Sequence, residues 1–208
     1  MRGEHMAFIA GIDYSLCGPA ICVYDTDEPK FVFKKCSLFY LTGTKKLATT
    51  FSANIRGEVF EDYNHDCERY ESIADWATDK VIGCSEILLE GYAFAAKGKV
   101  FHIAENTGVL KYKLYQRGIP VGTIPPTTVK KMATGKGNAD KEMMHDAFML
   151  ETGIDLRGMM TPSKKNIDSP VSDLVDAYYI CKSLYRSLKG EPIVNTNEVA
   201  DRDDAEED

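Results

Sequence analysis

The segment Ser169-Pro-Val-Ser-Asp-Leu-Val-Asp-Ala-Tyr-Tyr-Ile-Cys-Lys-Ser-Leu184 most constrains what this chain can fold into. Ser169 can cap the free amides of a first helical turn, and Pro170 suits the first helical position. Leu174, Val175, Ala177, Ile180, Cys181 and Leu184 make the helix apolar enough to bury much of its surface. Asp173 and Asp176, three residues apart, share one helix face. Two acids held against a core cost repulsion and desolvation unless something positive lies between them. A divalent cation is one answer. The other is an ordinary amphipathic helix whose first-turn acids complement its dipole.

The chain upstream predicts the layers this helix joins. Phe8 to Asp13 is a short apolar strand ending in an acid; Tyr14 to Pro19 turns, and Ala20 to Tyr24 returns. Phe31-Val-Phe and Cys36 to Leu41 continue with strand character, giving an antiparallel meander. Residues 42–66 have no sustained period and read as an extended loop or a short extra hairpin. Tyr70, Ile73, Ala74, Ala77 and Val81 mark a helix over 67–81, and Glu86 to Glu90 is a buried strand that again ends in an acid. Val100 to Gln116 has helical spacing, and Ile119 to Ile124 follows as a strand parallel to its predecessor. A short helix or turn over 127–132, a glycine-rich basic loop, a helix from Ala139 capped by Asn138, and the final helix complete the chain. The fold class is α/β: a mixed central sheet, meander on one side and parallel crossovers on the other, flanked by helices.

At 208 residues the chain reads as one domain over 8–190, preceded by a polar extension or expression remnant at 1–7 and followed by an acidic, disordered tail at 191–208. The tail holds eight acids and one arginine, which accounts for the whole net charge of -7. The rest is neutral, and its stretch Lys97–Glu142 carries nine basic residues against three acidic ones, compatible with a phosphate backbone as partner. The six cysteines lack paired CxxC spacing, and there is no signal-like start or membrane-length apolar run. These features fit a cytoplasmic protein with free thiols, in the host cell if the chain is viral, and argue against a disulfide framework, a zinc site or a membrane partner.

Asp13 and Glu90 each end a central strand, where the active-site groups of open sheets gather. A final helix packed across those ends would bring Asp173 and Asp176 to them. Four converging carboxylates form a hard oxygen site suited to Mg²⁺ or Mn²⁺. Two such ions, roughly 3.5–4 Å apart, can activate a water and stabilise the leaving oxygen of a phosphodiester. Lys130, Lys131, Lys136 and Lys141 flank glycines with free amides, a cradle for phosphate oxygens. Thr134-Gly-Lys-Gly lacks Walker A spacing, and His65, His102 and His145 form no metal motif.

Gly11-Ile-Asp-Tyr-Ser15, Ile87-Leu-Leu-Glu90, the segment Val129 to Lys141 and Asp173-Leu-Val-Asp-Ala177 resemble the RuvC-like Holliday junction resolvases of the ribonuclease H-like superfamily. The resemblance runs from Phe8 to Leu188 and is similar in its divergence to resolvases of bacteriophages and other viruses. It implies a ribonuclease H-like fold and a homodimeric, metal-dependent endonuclease of DNA recombination and repair that cuts four-way and other branched DNA. It implies that Asp13, Glu90, Asp173 and Asp176 hold Mg²⁺ or Mn²⁺, two ions per site, that Lys130 and Lys141 lie near the scissile phosphate and junction backbone, and that Tyr92 or Phe94 stacks on a base near the crossover. Lys97, Lys99, Lys131 and Lys136 complete the expected DNA contacts. The chain departs from the family in having Tyr14-Ser15 after its first acid, a longer 42–66 connection and an acidic overall charge. Two alternatives stand beside this reading: a broader flap, Y-junction or RNA–DNA hybrid nuclease of the same fold, and a non-catalytic junction-binding accessory protein.

Overall fold

The computed structural model describes residues 8–91 and 100–192. Strands β1 (Phe8–Asp13), β2 (Ala20–Asp25) and β3 (Ser37–Thr42) form the expected antiparallel meander. After β4 (Thr50–Ser52) and β5 (Ile55–Val59) come α1 (Asp66–Lys80), β6 (Cys84–Glu90), α2 (Val100–Gln116), β7 (Val121–Ile124), α3 (Pro126–Thr134), α4 (Lys141–Thr152), α5 (Leu156–Met160) and α6 (Val171–Leu188). The sheet order is β4-β5-β3-β2-β1-β6-β7, with β6 parallel to β1 and β7 parallel to β6. No helix among the described residues is long and apolar enough to cross a membrane.

Strand alternation sorts two cores. Ile9, Cys22, Tyr24, Leu38 and Tyr40 face one side, where α6 lies with α3, α4 and α5. Ala10, Ile12, Ile21, Ile87 and Leu89 face the other, against α1 and α2. Both faces of the sheet are therefore covered, which is why its central strands read as nearly continuous apolar runs. Helix α6 crosses β1 at Gly11, where a Cβ would lie 2.1 Å from the Cys181 amide nitrogen and 2.8 Å from the Ala177 carbonyl oxygen. The helix backbone rests directly on the strand backbone. Farther along α6, Tyr178 and Tyr185 pack among Tyr24, Phe31, Phe33 and Phe148, at ring separations of 5.0–6.1 Å for the Tyr178 contacts with the three phenylalanines.

Three local expectations need correction, and an open fourth is decided. Phe31–Phe33 is no strand. The Tyr24 hydroxyl donates to the Lys30 carbonyl at 2.6 Å and accepts from the Val32 amide at 3.0 Å, taking a backbone donor that a ladder would use. Both phenylalanine rings then turn into the aromatic cluster, and a short 3-10 turn over Phe33–Lys35 leads to β3. The 42–66 segment is the extra hairpin of the two readings: β4 and β5 are antiparallel, and β5 adds to β3 in parallel at the sheet edge. The cap of α4 is Asp140, which accepts from the Met143 amide at 2.9 Å, in place of Asn138. Ser169 does not cap α6, whose N-cap is Pro170 with no side-chain cap bond. Its hydroxyl lies instead near the Asp173 carboxylate.

Candidate active site

Register and parity place the first two acids. β1 pairs with β6 through Ile12 and Leu89, so the next positions, Asp13 and Glu90, stand side by side at the carboxyl ends of two parallel strands. Asp13 shares the parity of Ile9 and Gly11, and Glu90 that of Leu88, which packs on the α6 side. Asp173 and Asp176 lie on the first turns of α6, the helix that crosses β1 at Gly11. All four carboxylates are near enough to shift one another's protonation.

Each is half-buried by surface area, yet its carboxyl group is crowded enough by protein that loss of solvation dominates its proton affinity. Burial pushes Asp13 well above the usual carboxylate range, helped by the charges of Asp173, Glu90 and Asp176 and opposed by Lys141. Glu90 is raised by burial and Asp173, against Lys130. Asp173 is raised by burial, against the Ser169 and Ser172 hydroxyls and Lys141. Asp176 is pushed up to about 7, by burial first and then by Glu90 and Asp173, with Lys130 and Lys141 opposing. Anions that attract protons this strongly attract any cation that fits.

Beside the acids a cavity of about 240 Å³ is lined by Glu90, Lys130, Asp140, Lys141, Ser172 and Asp176, among others. Among the described residues, Lys130 of α3 and Lys141 at the start of α4 are the cations that act on the cluster. Lys131, next along α3, and exposed Lys136, beyond Gly135, are not among the leading influences on any of the four acids. Tyr92, Phe94, Lys97 and Lys99 lie outside the described residues. None of His65, His102 or His145 joins the acids. His102 accepts or donates toward the Tyr70 hydroxyl at 2.8 Å, and buried His145 sits 3.4 Å from the Arg157 amide. A larger cavity of about 830 Å³ lies between α1 and α2, away from the cluster.

Two contributors had little signal in the sequence. Gly18, in the β1–β2 turn, presses on Asp173; a Cβ there would lie 2.4 Å from Asp173 Oδ2 and from Ser169 Oγ. The turn's Gly-Pro pair signals a bend, not this approach. Ser172, only 4% exposed, donates to Asp173 Oδ1 at 2.9 Å and accepts from Lys141 Nζ at 3.3 Å.

The chemistry of the donors fits a hard divalent ion. Every available ligand atom is a carboxylate oxygen, and Asp173 Oδ2 is buried without a hydrogen-bond partner, an orphan that a cation would satisfy. Among the described residues no three His, Cys, Asp or Glu side chains stand, as placed, in a group that could hold a metal ion, so the four acids would have to draw closer around one.

No family model matches the chain. The crossover junction endodeoxyribonuclease RuvC of Synechococcus sp. (strain CC9311) is 31% identical over 67 residues, which are 32% of this chain and 42% of that protein. The chain thus aligns with less than half the length of that curated relative. Two solved structures share the fold. Thermus thermophilus RuvC matches with a TM-score of 0.55 at 16% identity, covering 88% of this chain and 97% of that one. T. thermophilus RuvC in complex with Holliday junction substrate matches with a TM-score of 0.58 at 16% identity, covering 88% and 96%. The chain is similar to RuvC in local sequence over those 67 residues and in fold, a mixed seven-stranded sheet flanked by helices.

Proposed function

We propose that this RuvC-like chain is a divalent-metal-dependent endonuclease that resolves four-way DNA junctions. The convergence of Asp13, Glu90, Asp173 and Asp176, with one buried carboxylate oxygen lacking a partner, carries this reading. Mg²⁺ or Mn²⁺ held by these four carboxylates would supply a Lewis acid able to activate water and stabilise the leaving oxygen of the phosphodiester. The protein's own groups divide the remaining work. The carboxylates set the place of the ions, and Gly18 and Ser172 fix the direction of Asp173. Lys141 and Lys130 border the cavity, where their charges meet the non-bridging oxygens of the phosphate as negative charge builds. The products are a 5′-phosphate and a 3′-hydroxyl.

A junction has two-fold symmetry, and a dimer of this chain would match it. The exposed face of α2 is self-complementary about its middle. Phe101 and Tyr115, 77% and 78% exposed, lie seven residues to either side of Gly108. Ala104 and Tyr112 lie four to either side, Tyr112 being 61% exposed. Nothing stands over the missing Gly108 side chain. Two antiparallel α2 helices centred on Gly108 would set Phe101 against Tyr115 and Ala104 against Tyr112 of the second copy. We expect wild type to run as a dimer by light scattering and the double variant Tyr112→Asp, Tyr115→Asp to run as a monomer with its helical content kept. A variant that remains dimeric moves the interface elsewhere.

The activity is tested with a labelled synthetic four-way junction beside flap and linear duplex controls, in Mg²⁺ or Mn²⁺. Expected are symmetrically paired nicks near the branch, reduced by about two orders of magnitude or more in Asp13→Asn while junction binding is largely retained. Equal cutting of flaps would leave a general branched-DNA nuclease. Tight junction binding without cleavage in either ion would leave a binding protein.

A further inference from the structure

We infer that Ser172 is a positioning residue, whose hydroxyl couples Lys141 to Asp173 and so fixes both the free carboxylate oxygen and the lysine at the edge of the site. The inference rests on the proposed reading of the four acids as cation ligands.

A serine hydroxyl has one proton to give and lone pairs to receive. Here the Ser172 proton goes to Asp173 Oδ1 at 2.9 Å, and Ser172 Oγ accepts from Lys141 Nζ at 3.3 Å. At 4% exposure, Ser172 has little water to replace either partner. Its position in the first turn of α6 would suit a serine that bonds its own helix, but the hydroxyl serves two charged neighbours instead. Lys141 is the first residue of α4, where the positive end of the helix dipole disfavours an ammonium. The acceptor on α6 offsets that cost and ties the start of α4 to the helix bearing the acids.

The coupling also decides which Asp173 oxygen remains open. Oδ1 is occupied by Ser172, and Oδ2 is buried with no partner. The Gly18 turn closes in on Oδ2, leaving no room for even a Cβ at that position. Ser172 on one side, and Gly18 with the Ser169 hydroxyl on the other, therefore hold the carboxylate in a single orientation, with Oδ2 the oxygen left without a hydrogen-bond partner. Groups that orient a ligand without touching the ion are worth about 10–100-fold in metal affinity or activity. Nothing in the spacing of the acids singles out Ser172, because its role comes from the neighbouring helix α4.

The test compares wild type, Ser172→Ala and Ser172→Thr. Free Mn²⁺ is read by electron paramagnetic resonance in the absence of DNA, and single-turnover junction cleavage and junction binding are measured in parallel. Thermal melting of each variant confirms that it folds. We expect Ser172→Ala to weaken Mn²⁺ binding about 10-fold and slow cleavage by 10-fold or more, at unchanged junction affinity. Ser172→Thr keeps the hydroxyl and should stay within about 3-fold of wild type. A folded alanine variant with wild-type Mn²⁺ affinity and cleavage rate overturns the inference alone. So does a threonine variant that folds yet is as impaired as alanine, since packing would then be the cause. Wild-type protein that takes up no Mn²⁺ overturns the cation reading itself, and this inference with it.

Discussion

Gly11→Ala is expected to lower the melting temperature by about 10 °C, or to prevent folding altogether. The added carbon would lie 2.1 Å from the Cys181 nitrogen, 2.6 Å from the Cys181 Cα and 2.8 Å from the Ala177 oxygen. All three are backbone atoms of α6, so no rotamer change relieves the clash, and the helix must move off the sheet. Overpacking usually costs about 1–3 kcal/mol where side chains can give way. Here the displaced element forms much of the α6-side core, and about 3–4 kcal/mol is the fitting scale. For a chain of this size that corresponds to roughly 10 °C. The glycine is required for space alone, because its φ is not in the left-handed region. Gly43→Ala is the control: no atom lies within 4 Å of its Cβ position and φ is likewise not left-handed, so it should melt within about 2 °C of wild type. Thermal melting of the three proteins decides it. Gly11→Ala melting like Gly43→Ala would mean that α6 and β1 are not in backbone contact.

That contact shows what the sequence could and could not convey. Strands over 8–13, 20–24 and 86–90 were legible because each is a short apolar run closed by a turn or an acid, the last two running to 20–25 and 84–90 in the structure, and α2 because its apolar spacing is regular. The parallel pairing of β6 and β7 followed from the helix between them. The meeting of Asp13, Glu90, Asp173 and Asp176 was legible for the same reason: strand-end acids and a paired-acid helix have few places to go in an α/β sheet. What decides orientation within the cluster is set by distant contacts. Gly18 acts through a turn against α6, and Ser172 through α4. Local spacing has no means of recording either. Phe31–Phe33 misled because aromatic residues that favour strands also fill three-dimensional clusters, and here the Tyr24 hydroxyl had taken the Val32 amide. Residues 42–66 had no period because β4 and β5 are short strands at one end of the sheet, too brief to show alternation.

The four acids also make a stability prediction whose sign is opposite to that of most salt-bridged carboxylates. A carboxyl group whose native proton affinity is raised binds a proton in the folded state at pH values where the unfolded chain has released it. Between the unfolded carboxylate range and about 7, the folded protein therefore holds more protons at Asp176 than the unfolded one. Stability must fall as pH rises through that window, and the penalty is fully present above it. Asp13, Glu90 and Asp173 are shifted in the same direction and add to the slope. In chelator, we expect Asp176→Asn to change little at pH 4.5, where the native aspartic acid is already neutral. At pH 8 it should be more stable than wild type by about 2 kcal/mol, or roughly 5 °C. Part of the full penalty is relieved in wild type because the neighbouring acids share protons and Lys130 and Lys141 offset charge. Adding Mg²⁺ or Mn²⁺ at pH 8 should reverse the order. The ion stabilises wild type according to its occupancy, while the variant has lost a ligand and gains less. Melting curves at the two pH values, with chelator and with either ion, separate the possibilities. A variant no more stable than wild type at pH 8 in chelator would show that Asp176 bears no burial cost, and the electrostatic basis for drawing a cation into the cluster would go with it.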